Sequence, residues 1–125
     1  MNNSVGEANR SWTTPSQYQL FRKIDAIGKP TPSALWIILD EREESINDGC
    51  FFTNPDSAWN LIDYPAAYHN RGAGFAFADG HAEIHRWLDP RTTPLLLPGQ
   101  LLPLNVMLPG DVDVTWMQQH ATSRP

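Results

Sequence analysis

Apolar positions along the chain fall into short runs separated by polar, proline- or glycine-marked breaks. The clearest run, Leu35-Trp36-Ile37-Ile38-Leu39 within Ser33 to Leu39, predicts a strand buried on both faces. Phe75-Ala76-Phe77-Ala78 and His81 to Trp87 flank Asp79-Gly80, which predicts a hairpin over Gly74 to Trp87. Asp-Gly suits a type I′ turn, because both central positions take positive φ, which Asp tolerates and Gly adopts freely. Two-residue alternation then puts Glu83, His85 and Trp87 on one face of the second strand and Ala82, Ile84 and Arg86 on the other.

Weaker patterns fill the rest. Residues 1–12 read as an irregular lead-in. Thr13-Thr14-Pro15-Ser16 offers a capping hydroxyl and an early proline, Tyr18, Phe21, Ile24 and Ile27 recur at helical spacing, and Gly28 and Pro30 close the segment. A short amphipathic helix is predicted there. Asn47-Asp48-Gly49 marks a turn after which Cys50-Phe51-Phe52 returns as a short strand, and Trp59, Leu61 and Ile62 anchor the turn-rich stretch from Asn54 to Pro65. Beyond Leu88, five prolines from Pro90 to Pro109 interrupt Leu95-Leu96-Leu97 and Leu101-Leu102. That predicts an extended segment laid over the fold with its leucines inward. Asp111 or Asp113 caps a last short helix through Trp116 to His120.

Composition narrows the classes. The 125 residues suit one domain spanning 1–125, and 41% hydrophobic against 18% charged residues fits a packed core. A net charge of −5 with no basic stripe makes nucleic acid an unsuitable partner. Single Cys50 excludes an internal disulfide and a thiolate zinc cluster. No apolar stretch approaches the roughly 20 residues that span a bilayer, and Met1 to Ser11 carries no signal-peptide pattern. The elements together predict an α+β fold: an antiparallel sheet with a central hairpin, a short N-terminal helix and a long proline-rich C-terminal segment.

Ordered stretches of the chain resemble one family. His69, nine intervening residues and then Asp79-Gly80 resemble the signature of prepilin-type processing-associated proteins, which are pseudopilin-like. Leu39-Asp40-Glu41, Ser45-Ile46-Asn47-Asp48-Gly49, Tyr68-His69-Asn70 and Phe77 through Trp87 are similar to that family's C-terminal domain. Pro90-Arg91-Thr92 and Asp113 through Gln118 resemble its closing segments. The resemblance implies a type IV pilin-like fold and a structural subunit of a type II secretion pseudopilus or related envelope fibre, not an enzyme. It also implies a place at the periplasmic, cell-envelope face of the inner membrane. Partners would be other pseudopilin subunits and secretion-system components, with a secreted protein or glycan also in reach. The family's long apolar N-terminal helix and cleavage motif are absent here, so the chain reads as the globular part alone.

Candidate chemistry is sparse. His69, Asp79 and Gly80 form the structural motif, with His69 expected to clasp Asp79 and pin the incoming loop to the hairpin. The same residue types admit a divalent ion, with His69, Asp79, His81, Asp40 and Glu41 as candidate ligands. The acidic run Asp40 to Glu44 with Asn47 and Asp48 admits calcium but lacks EF-hand spacing and reads as a solvated loop; no cofactor is required. Cys50, Ser45 and the histidines carry no recognisable nucleophile motif, so no catalytic residue is assigned. Trp12 and Trp59 are the tryptophans expected to face outward. They support the alternative function, an extracellular glycan- or protein-binding module presented on the envelope.

Overall fold

The structure is a computed structural model that describes residues 1–6, 17–95 and 97–125. Its strands are β1 (Trp36–Leu39), β2 (Asn60–Leu61), β3 (Gly72–Phe77), β4 (Ala82–Arg86) and β5 (Val106–Met107), followed by one α-helix, α1 (Val112–Gln119). The strands form an antiparallel sheet in the order β1-β3-β4 and a smaller β2-β5 pair. The fold is α+β.

The predicted hairpin is β3 and β4, paired from Gly72↔Arg86 to Ala76↔Ala82. The predicted alternation holds: Phe75 and Trp87 are buried on one face, while Ala82, Ile84 and Arg86 are exposed on the other. The turn differs from the expected type I′. Gly80 alone takes positive φ, +93°, and Asp79 does not. The Phe77 N–H donates to the His81 carbonyl and the Gly80 N–H to that of Phe77, which leaves a three-residue loop with glycine at its left-handed position. Two successive left-handed residues do occur, at Asn70 and Arg71, in the turn that feeds β3.

β1 is buried on one face only, which corrects the expected fully buried run. Its pairing with β3 shifts between Trp36 and Ile38, so Ile37 is an inserted residue. The bulge lets both Trp36 and Leu39 turn inward, three positions apart, and leaves Ile38 opposite Ala76 on the outer face, 55% exposed. The inner face of the sheet carries the core: Trp36, Leu39, Phe75, Phe77 and Trp87 pack with Phe51, Leu61, Val114 and Met117.

The predicted N-terminal helix does not form. Only a 3-10 turn, Ile24–Ala26, lies in the described part of it, and Thr13 to Ser16 lie outside the described residues. Phe21 is buried in an extended bridge to Val5, whereas Ile24 is exposed, so the helically spaced residues share no face. A segment this short is marginal as an isolated helix, and here its backbone is claimed from outside: Phe21 N–H donates to Ser4 and Gln19 N–H to Ser123. The described lead-in is likewise ordered by tertiary bonds. Asn2, fully buried, donates from its side chain to the Trp36 and Ala121 carbonyls and accepts from Ser4 N–H.

Cys50-Phe51-Phe52 makes one isolated bridge, Phe51 to Asn2, instead of a strand. The proline-rich segment is extended, but Leu95, Leu97 and Leu101 point outward and Leu102 alone among the described leucines of that stretch is buried; Leu96 lies outside the described residues. Backbone polarity anchors the segment instead. Leu102 N–H donates to the Glu44 carbonyl, Asn105 N–H to that of Ile62, and the Arg42 guanidinium to that of Pro94. α1 begins as expected at Asp111, whose carboxylate accepts from the Asp113 and Val114 N–H groups.

Candidate functional site

The sequence candidates divide between the two ends of β3. At its start, Asp40 follows β1 and pairs with Gly74 through both backbone and side chain. Its N–H donates to the Gly74 carbonyl, and its Oδ2 accepts from the Gly74 N–H at 3.0 Å. A Cβ at 74 would stand 2.9 Å from that carboxylate oxygen and would push the Asp40 side chain off its bond. The same oxygen lies 3.5 Å from His69 Nε2, and both side chains are about half exposed. At the far end of β3, the Asp79 carboxylate accepts from the His81 N–H and meets its Nδ1. These bonds hold the Asp79 carboxyl below the usual range, and the His81 ring stacks on Phe77 at 4.4 Å.

The expected clasp between His69 and Asp79 is therefore replaced by two separate pairs, Asp40–His69 and Asp79–His81. Asp40 is bonded at Gly74 and Asp79 lies five residues further along the chain, a span of about 15 Å. The same separation divides the proposed metal ligands: Asp40, Glu41 and His69 sit at one end, Asp79 and His81 at the other. Among the described residues no group of three or more His, Cys, Asp or Glu side chains is placed to hold a metal ion.

The end bearing Asp40 opens into a cleft of about 520 Å³ lined by Leu39, Asp40, Glu41, Asp48, Tyr68 and His69. The acidic run beside it is solvated only in part: Asp40, Glu43, Asn47 and Asp48 are exposed as expected. Arg42, Glu44 and Ser45 are buried, Arg42 and Glu44 as an ion pair at 3.2 Å, and the Ser45 hydroxyl accepts from the Tyr64 N–H. Burial pushes the Glu41 carboxyl up to about 7, with the neighbouring Asp63 charge adding to the effect, and burial pushes Asp63 up to about 6. Each keeps a buried oxygen without a hydrogen-bond partner among the described residues.

A pH dependence follows from these two acids. Between the ordinary carboxylate range and pH 7 the folded protein holds protons that the unfolded chain has released, so stability falls as pH rises through 6 and 7. His85, whose pKa burial lowers, acts in the opposite sense as pH rises through its ordinary value. Comparison with Glu41→Gln isolates the carboxyl contribution. Urea unfolding at pH 5 and pH 8 should show the variant losing less stability than the wild type, by about 2 kcal/mol. Equal losses would mean Glu41 ionises as it does in the unfolded chain.

A second polar assembly was not legible in advance. Thr92, Asp111 and Asp113 are almost fully buried, with the Thr92 hydroxyl between the two carboxylates at 2.9 and 3.0 Å. Asp113 also accepts from the Leu88 and Asp89 N–H groups, and Arg91 forks onto Asp89. The sequence signal was the Asp-Val-Asp spacing at a helix start, which marks a cap but not its partners.

Four tryptophans are described. Trp36 and Trp87 are core residues, and Trp116 stacks on His85 at 3.7 Å and on His120 at 4.5 Å. Trp59 is 40% exposed at a left-handed position just before β2, and Trp12 lies outside the described residues. The outer sheet face is the other open surface. Ile38 and Ile84 are each 55% exposed there, around the small residues Gly74, Ala76 and Ala82. No family model, no curated protein and no solved structure matches this chain.

Proposed function

We propose that this chain is a non-catalytic, pseudopilin-like structural domain of a type II secretion pseudopilus or related envelope fibre, acting at the periplasmic face of the inner membrane. The observation that carries the reading is the lopsided sheet. Its inner face is filled by α1 and the loops, while its outer face presents Ile38, Ala76, Ala82 and Ile84 to solvent. Ile38, Ala76, Ala82 and Ile84 make a shallow apolar bed, rimmed by the half-exposed Asp40 carboxylate over Gly74, against which an apolar helix of a fibre subunit can pack. The resemblance of the hairpin and its flanking segments to pilin-like proteins supports the same conclusion. A structural role also suits the paired groups, since Asp40–His69 and Asp79–His81 lie too far apart to converge on one reacting atom. The glycan-binding alternative rests on Trp59 alone among the described tryptophans, since Trp36, Trp87 and Trp116 are committed to packing.

A photo-crosslinking amino acid at Ile38, placed in the protein within its own cells, tests this. Adducts to subunits carrying a prepilin-type apolar helix are expected. Adducts confined to unrelated proteins, or recovery of the chain away from the cell envelope, would overturn the reading.

A further inference from the structure

β4 is the outermost strand of the main sheet, and the direction of its backbone groups can be read from the ladder. Phe77 N–H donates to the His81 carbonyl and Trp87 N–H to that of Arg71, with Phe75↔Glu83 and Ala73↔His85 in register between them. The odd-numbered residues 81 to 87 therefore aim their backbone groups at β3. Ala82, Ile84 and Arg86 aim theirs outward. Among the described residues nothing takes these outward donors and acceptors. The edge carries no proline, lysine or bulge and is paired without interruption to β3, and its two charged residues, Glu83 and Arg86, are of opposite sign.

We propose that β4 is a self-pairing edge, through which two copies of this chain join antiparallel about Ile84 into one continuous six-stranded sheet. The sequence Ala82-Glu83-Ile84-His85-Arg86 is complementary to itself in that register. Ile84 opposes Ile84 of the second copy as a hydrogen-bonded pair, and Ala82 opposes Arg86 on either side. On the other face Glu83 opposes His85, an acid against a base, and no like charges meet across the strands. The outward N–H and C=O groups of Ala82, Ile84 and Arg86 are all paired by this one arrangement. A slip by one residue would set outward-aimed groups against inward-aimed ones. The two patches of Ile38, Ala76 and Ile84 then adjoin across the two-fold axis and form a single apolar face. The contact is small, so a dissociation constant on the order of 100 µM is expected.

Sedimentation equilibrium of the wild-type chain from about 10 to about 500 µM, concentrations that bracket this constant, should show a monomer–dimer equilibrium. Ile84→Lys places like charges across the axis, and Ala82→Pro removes an outward donor while sparing the bonds to β3. Each should weaken the dimer at least tenfold, on the order of 1.4 kcal/mol. Ile38→Lys, on the same face but away from the edge, should leave it unchanged. Far-UV circular dichroism checks that the variants fold. Should one fail to fold, amide exchange on the wild-type protein decides: the Ile84 and Arg86 amides must slow as concentration rises. A monomer throughout the range, a dimer indifferent to Ala82→Pro, loss of the dimer in Ile38→Lys, or edge amides whose exchange ignores concentration would each overturn the proposal.

Discussion

Asp113→Ala is expected to lower the unfolding free energy by about 3 kcal/mol, measured by urea titration. The carboxylate is 1% exposed and accepts from the Leu88 N–H at 2.9 Å, the Asp89 N–H at 2.8 Å and the Thr92 hydroxyl at 3.0 Å. Alanine would remove the acceptor shared by the Leu88 and Asp89 N–H groups and leave the Thr92 hydroxyl to Asp111 alone. The cost combines two lost charge-assisted bonds with the partial desolvation of the unpaired N–H groups. The damage should be local as well as global. Asp113 is what ties the chain after β4 to the first turn of α1, so amide protection at Leu88 and Asp89 should fall first. Asp113→Asn keeps the volume and one carbonyl acceptor, and should recover part of the loss. A decrease below about 1 kcal/mol for alanine would show that these N–H groups find other partners.

Trp36→Ala should cost more, about 4–5 kcal/mol. The ring is fully buried and meets Phe51 and Phe75 edge-on at 5.9 and 6.1 Å. Its Nε1–H donates to the Met117 carbonyl at 3.0 Å, and its backbone N–H to that of His120, so β1 supplies partners for carbonyls that the end of α1 leaves open. One side chain therefore joins sheet, loop and helix. Against a typical domain stability of roughly 5–15 kcal/mol, its removal should leave a large unfolded fraction on warming. Trp36→Phe retains most of the apolar volume and loses the indole donor; the difference between the two variants in a thermal melt separates packing from hydrogen bonding. Equal melting temperatures for wild type and alanine variant would overturn the central placement of Trp36.

The parts of the fold legible in advance share a physical feature: their signals are local. The hairpin was readable because strand alternation has a period of two and Asp79-Gly80 marks a reversal, and both operate within a few residues. The cap at Asp111 was readable because a carboxylate at a helix start bonds N–H groups two and three positions on. Even there the turn type escaped, since Asp-Gly fits both a two-residue I′ loop and the three-residue loop that formed, and the pairing of Phe77 with His81 selects between them.

The remaining features were settled by contacts between residues distant in the chain. Tyr18, Phe21, Ile24 and Ile27 carry helical spacing, but Ser4 and Ser123 capture the backbone of that segment, and a helix of such length has too little cooperativity to resist. His69 and Asp79 stand ten positions apart in sequence and at opposite ends of one strand in space, so their spacing does not report contact. Arg42 reads as one charge in an acidic loop until Glu44 and the Pro94 carbonyl enclose it. Asp111 and Asp113 read only as a helix cap, and Thr92 as a loop residue, until folding brings the end of the hairpin onto the start of α1. Alternation, turn chemistry and capping draw their energy from neighbours along the chain and can be read there. Burial of a polar group is compensated only by partners that the completed fold delivers, and so the polar interior of this protein belongs to its packing.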